Sequence, residues 1–205
     1  MHTDFSVIIP TYRRPQELEE AIGSVLEQRG VAVEIIVVDD SPEGSAVRVI
    51  DAIRDTRVTL LRSTSPTGGI PSAVRNMGWP RAKGNFVHFL DDDDIVPEGH
   101  YIAVKDVFSA HPRVGMVFGC VEPFGKCSIA QLEHERRYFA KAARMALRCQ
   151  RFGPKMAFAG KMLFGDALLV CSAAVVRREI IERLGGYDPG IRLLEDADLD
   201  RKSVV

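Results

Sequence analysis

Along the first half of the chain, short unbroken apolar runs alternate with segments whose apolar positions recur every three to four residues. Phe5–Ile9, closed by Pro10, reads as a strand, as do Val33–Val38, Val58–Leu61, Phe86–Leu90 and Val114–Phe118. A strand covered on both faces needs no polar alternation, so such runs indicate a buried sheet. Between them, Leu18, Ala21, Ile22, Val25 and Leu26 share one helical face behind Pro15, a residue suited to a first helical turn. Further helices are expected from Ser41 or Pro42 through Ile53, over about Ser72–Trp79, and from Pro97 to about Ala110. The alternation predicts an α/β fold, a Rossmann-like, mostly parallel sheet flanked by helices with right-handed crossovers. A late strand is expected at Ala167–Cys171 and a helix at Arg177–Leu184, before the turn cluster Gly185–Pro189.

The stretch from Gly125 to Lys161 breaks this rhythm. It carries nine basic residues against the two acids Glu133 and Glu135. Between Ile129 and Arg151 it has helical spacing, with Leu132, Phe139, Ala143 and Leu147 as a partial apolar stripe. With no internal repeat and no linker, residues 1–205 read as a single domain into which a basic helical flap, 125–161, is inserted. Such a flap is either a solvated face or a contact for an anionic acceptor or a membrane surface.

Composition narrows the classes. A chain that is 46% hydrophobic and 27% charged is a soluble globular one, not a disordered, collagen-like or disulfide-scaffold protein. The formal charge of -1 argues against a globally basic nucleic-acid binder, and no nucleic-acid partner is expected. None of the four cysteines forms a Cys-x-x-Cys pair, so reduced thiols are expected rather than a zinc ribbon. Neither a signal peptide nor an apolar run of about eighteen residues is seen, which predicts a cytoplasmic protein. The basic flap adds a peripheral contact at the inner face of the membrane. The oligomeric state is not written in the sequence.

In open parallel sheets, ligands sit at the carboxyl ends of the strands. Three predicted strands end in polar residues: Thr11 after the first, Asp39-Asp40 after the second, and Asp91 to Asp94 after the fourth. Four adjacent carboxylates raise one another's pKa unless a cation compensates. In an extended segment Asp91 and Asp93 point to one side and can hold a hard divalent ion, with water and phosphate oxygens completing its shell. The plainer alternative is an acidic turn capping the next helix. Asp39 and Asp40 carry the same ambiguity, between a helix cap and a contact to a base edge or ribose. No Gly-x-Gly-x-x-Gly loop follows the first strand, which argues against a dinucleotide site. Arg75 is either a bidentate phosphate ligand or a surface arginine. His88 reads as a core or sheet-face histidine. Taken alone, Glu195-Asp196 is a solvated helix start or a late-arriving general base.

In order, Phe5–Arg14, Val37–Ser41, Arg75–Gly78, Ala82–Asp94, Gly185–Asp188 and Glu195-Asp196 resemble the family 2 glycosyltransferases with the GT-A fold. The resemblance covers nearly the whole chain, and the ordered set is specific although each piece is common. It implies transfer of a sugar from a nucleotide-diphosphate donor, a UDP-, GDP- or dTDP-sugar, to a glycan or lipid-linked acceptor with inversion. It assigns Pro10, Thr11, Tyr12, Arg13, Asp39, Asp40, Arg75, Asp91 and Asp92 to the nucleotide. It assigns Asp91 and Asp93 to Mg²⁺ or Mn²⁺, Asp196 to the catalytic base and Glu195 to the acceptor side. Family members continue with a helix beyond this point, whereas this chain stops nine residues after Asp196, so it reads as C-terminally truncated. Competing readings are a non-catalytic sugar-nucleotide-binding module and an Asp-dependent phosphoryl-transfer enzyme. The latter places its Asp-x-Asp motif after the first strand rather than the fourth.

Overall fold

The computed structural model describes residues 2–125, 127–150 and 171–191. Among them, six strands form one sheet: β1 (Phe5–Thr11), β2 (Val33–Asp39), β3 (Val58–Arg62), β4 (Phe86–Phe89), β5 (Met116–Phe118) and β6 (Ala174–Arg177). Their spatial order is β3-β2-β1-β4-β6-β5. β1 pairs in parallel with β2 and β4, and β2 with β3, while β6 runs antiparallel to both β4 and β5. The sheet is therefore mostly parallel, as expected.

The helices are α1 (Pro15–Leu26), α2 (Val47–Ile53), α3 (Pro71–Gly78), α4 (His100–Ala110), α5 (Ile129–Gln150) and α6 (Arg178–Leu184). The period-two pleat of β1 sends Phe5, Val7 and Ile9 to one face, where they meet Leu18, Ile22 and Val25 of α1 and Tyr101, Val104 and Phe108 of α4. Ile8 faces the other way with Ile36, Val38, Val87 and Phe89, against Val74 of α3 and Ile181 of α6. Burying each such aliphatic or aromatic side chain contributes about 1.5–3 kcal/mol. The α3 helix lies so close to the sheet that a Cβ at Gly78 would meet Ile8 Cγ2 at 2.5 Å.

Several boundaries differ from the sequence reading. The helix expected from Ser41 or Pro42 begins at Val47, because Asp39 holds the intervening residues in a loop. The helix expected at Pro97 begins at His100, since Gly99 adopts φ 77 and the Pro97 carbonyl closes a turn with His100 N–H. The fifth strand is shorter than expected, because Val114 N–H is taken by the His111 carbonyl. The late strand is Ala174–Arg177; Cys171 instead opens a 3₁₀ turn, and residues 167–170 lie outside the described ones. The flap contains the expected helix, α5. Its partial stripe is visible in the half-burial of Leu132, Phe139 and Ala143, while Ile129 is 77% exposed. No helix among the described residues is long and apolar enough to cross a membrane.

Candidate active site

A cleft of about 520 Å³ opens at the carboxyl ends of β1 and β4. The chain leaves β1 toward β2 on one side and returns through β3 and α3 to β4 on the other, so the cleft sits where the winding direction reverses. Pro10, Thr11, Tyr12 and Arg14 form one wall, Gly68, Gly69, Pro71, Val74 and Arg75 a second, and Asp91, Asp92 and Asp93 a third.

The aspartates arrive there because β4 ends at Phe89 and Leu90 N–H still bonds the Ile8 carbonyl, which carries the next residues over the end of β1. Thr11 Oγ1 donates to Asp92 Oδ2 at 2.7 Å, tying the two strand ends together. Arg14 Nη1 donates to Asp92 Oδ1 at 3.3 Å and to Asp93 Oδ2 at 2.5 Å. Arg75 Nη2 donates to Asp91 Oδ1 at 2.6 Å. Arg75 is 3% exposed, and its guanidinium lies 5.5 Å from the centre of the Tyr187 ring. Burial opposes its charge, but Cys171, Asp91 and Tyr187 around it outweigh that and raise its pKa above the ordinary arginine value. Burial pushes Asp92 above the usual carboxylate range, with the Thr11 hydroxyl and Arg14 acting against it. Burial likewise raises Asp94, opposed by the Ser172 hydroxyl.

A buried histidine supports the acidic run from below. His88 is fully buried, with Nε2 2.9 Å from the Ser172 carbonyl and Nδ1 2.7 Å from the Tyr101 hydroxyl. A carbonyl only accepts, so Nε2 carries the proton and Nδ1 accepts from Tyr101. Burial, with a contribution from His100, lowers the His88 pKa to about 3, which keeps the ring neutral. The turn fixed in this way presents Ser172 Oγ to Asp91 N–H at 3.0 Å. His88 is thus the core histidine the sequence predicts, and its role at the site is to hold that turn.

A second clamp brings the late part of the chain to the cleft. Asn76 Nδ2 donates to the Tyr187 carbonyl at 2.8 Å, and its Oδ1 accepts from Tyr187 N–H at 2.9 Å. Gly186 has φ +84, and a Cβ there would stand 2.4 Å from Trp79 Nε1 and 2.5 Å from Asn76 Oδ1, so this turn admits glycine for two separate reasons. Beyond it, Ser72 Oγ donates to the Ile191 carbonyl at 3.1 Å, next to Pro71 of the cleft wall.

Of the residues singled out in the sequence, the structure brings Pro10, Thr11, Tyr12, Arg75, Asp91, Asp92 and Asp93 to the cleft surface. Asp39, Asp40 and Arg13 are not on it. Asp39 is 1% exposed, and its carboxylate accepts from Ser41 N–H, Ser41 Oγ and Ala46 N–H. Asp40 is fully buried and accepts from Thr67 N–H, Thr67 Oγ1 and Gly69 N–H. Both acids build the walls rather than face the ligand space. Arg13 adopts φ 61 and turns outward to a two-pronged pair with Glu43 at 2.7 and 3.2 Å. Glu195 and Asp196 lie outside the described residues. Sequence reasoning passed over Arg14, Gly68 and Gly69. Their signals were a second consecutive arginine and a glycine pair, at φ +82 and +83, in the loose stretch before α3.

Among the described residues, no three acidic, histidine or cysteine side chains converge closely enough to cage a metal. Asp91 and Asp93 nevertheless both line the cleft, and hard carboxylate oxygens suit Mg²⁺ or Mn²⁺. They fit an ion that takes its remaining ligands from water and phosphate.

The fold is GT-A. The structure aligns with Staphylococcus aureus TarS crystallised with UDP-GlcNAc at a TM-score of 0.68 and 18% identity, covering 98% of this chain and 53% of that one. It aligns with a mannosyltransferase from Pyrobaculum calidifontis, crystallised with GDP-Man and Mn²⁺, at a TM-score of 0.64 and 22% identity, covering 99% and 52%. The family model "Glycosyl transferase family 2" matches residues 6–185, and the chain belongs to that family. In sequence it is 37% identical to the minor teichoic acid biosynthesis protein GgaB of Bacillus subtilis over 112 residues, 53% of this chain and 12% of GgaB. The chain therefore spans about half, or much less, of the proteins it matches.

Proposed function

We propose that the chain transfers a glycosyl group from a nucleotide-diphosphate sugar to an acceptor hydroxyl with inversion at the anomeric carbon. The observation that carries this reading is the single cleft in which Thr11, Tyr12, Arg75 and the aspartates after β4 meet at the switch point of the sheet. The relatives named above support it, two of them having been crystallised with nucleotide sugars. Tyr12 and the Gly68–Gly69 backbone bound the part of the cleft that receives the nucleoside. Asp91 and Asp93 hold a divalent cation, which when bound neutralises charge on the departing diphosphate. Arg75, already buried and fixed on Asp91, supplies a positive charge with no reorganisation during the reaction. Asp196 accepts the proton of the acceptor hydroxyl as its oxygen forms the new bond and the donor's bond to the diphosphate breaks. Glu195 stands on the acceptor side. Placing both substrates in line lowers the barrier by several kcal/mol, of the roughly 7–11 available from orientation. A lipid-linked or anionic acceptor at the inner membrane face meets the basic residues of α5, of which Arg137 and Arg144 are exposed.

Thermal unfolding with UDP-GlcNAc, GDP-Man or a dTDP-sugar, each with and without Mn²⁺, tests the donor half. The midpoint should rise for one of them, and most when Mn²⁺ is present. Asp93→Ala should lose the metal-dependent part, and Asp196→Asn should keep binding but lose turnover. Indifference to every nucleotide in the presence of Mn²⁺ would refute the reading.

A further inference from the structure

Two arginines neutralise the acidic run, and they are held very differently. Arg75 is 3% exposed, whereas the Arg14 and Asp93 side chains are 50% and 51% exposed. Among the described residues, the hydrogen bonds of the Arg14 guanidinium go to Asp92 and Asp93 alone, both from the single nitrogen Nη1. Arg14 immediately precedes α1 and makes no side-chain cap bond there. Its direction is set by Arg13, whose left-handed backbone and pair with Glu43 send one arginine outward and leave the next to face the cleft.

We propose that Arg14 is a resident counter-cation that couples metal binding to diphosphate binding. It holds Asp92 and Asp93 until a divalent ion takes Asp93, and it then turns to the diphosphate. The inference rests on the donor and metal reading given above. An exposed guanidinium–carboxylate contact is a weak one and exchanges readily. A divalent ion on Asp93 and a guanidinium at contact distance repel each other, and the half-exposed Arg14 gives way where the buried Arg75 is held in place. The displaced side chain remains tethered in the cleft wall, where its planar fork suits phosphate oxygens. Binding of metal and of nucleotide then reinforce each other by the same factor in both directions, and part of that factor runs through residue 14.

The test measures Mn²⁺ affinity directly, from the electron paramagnetic resonance of free Mn²⁺, in the wild type, R14Q and R14K. Each is titrated alone and with whichever of UDP, GDP or dTDP shifts the wild-type unfolding midpoint. Without nucleotide, R14Q should bind Mn²⁺ roughly 1.5- to fivefold tighter, the range of one exposed ion pair. The enhancement of Mn²⁺ affinity by nucleotide should shrink by a similar factor, with R14K in between. Unchanged or weaker Mn²⁺ binding by R14Q, with the nucleotide enhancement intact, would overturn the proposal. A wild type that binds no Mn²⁺ under either condition would overturn the metal reading itself, which separates the two failures.

Discussion

On either side of β1, a flanking strand ends in consecutive aspartates, Asp39-Asp40 after β2 and Asp91-Asp92-Asp93 after β4, and the two groups are satisfied by different kinds of donor. The first pair is buried and saturated by N–H groups and hydroxyls of its own loops. The second is satisfied mainly by guanidinium groups and the Thr11 hydroxyl, at a surface that opens into the cleft. A carboxylate that collects backbone donors is committed to the fold, because those donors have no other partner once buried. A carboxylate paired with a half-exposed arginine can change partners at little cost. Position at a strand end is the same in both cases; what separates scaffold from site is the chemistry of the donors.

The largest expected effect separates them by stability. Asp40→Ala removes a fully buried carboxylate that accepts from Thr67 N–H, Thr67 Oγ1 and Gly69 N–H. It should destabilise by about 1.5–3 kcal/mol in urea unfolding, the range for hydrogen bonds to a charged group, since the exposed Thr67 can turn its donors to water. Asp93→Ala should cost under about 1 kcal/mol, since it removes one exposed pair. Equal losses in the two variants would erase the distinction.

Acid titration sharpens it. Burial alone would raise Asp40, but donors from Gly69 and Thr67 outweigh that and hold its pKa below the ordinary 3.8. Its folded value is the lower one, so its contribution is present above the unfolded value and is lost as pH falls through the folded value. The acid limb of the stability curve should therefore flatten in Asp40→Asn. Asp92 has the opposite sign. Its folded value is raised, so stability declines as pH climbs from the unfolded value to the folded one and stays lower beyond. Asp92→Asn should remove that decline and leave stability at pH 7 within about 1 kcal/mol of wild type, because the Asn carbonyl still accepts from Thr11. The smallest effect is expected at Arg13→Asn. It loses an exposed pair with Glu43 but places a residue tolerant of φ 61 there, so the thermal midpoint should stay at or slightly above the wild-type value.

The strands around the cleft were legible in the sequence because burial on both faces leaves unbroken apolar runs such as Phe5–Ile9 and Val33–Val38. The acidic run after β4 was legible for its position alone. β6 was not, because Arg177 ends it and Arg178 begins α6 with no glycine or proline between, and its place is set by distant pairing with β4 and β5. The roles of Asp39 and Asp40 were also hidden. Whether a strand-end carboxylate turns toward the ligand or back into a loop depends on where Ser41, Ala46, Thr67 and Gly69 place their N–H groups. The same holds for Arg13 and Arg14, identical neighbours that only the left-handed backbone at Arg13 sends to different partners.

The antiparallel pairing of β5 with β6 sets Phe118 directly opposite Ala174. Whatever length of polypeptide joins those two positions departs from and comes home to one doorway at the sheet's rim. The entropy of closing such an excursion grows only with the logarithm of its length. Length can accordingly vary between Phe118 and Cys171 at little entropic cost, while Ser172, one residue further on, keeps its hold on the turn at Asp91.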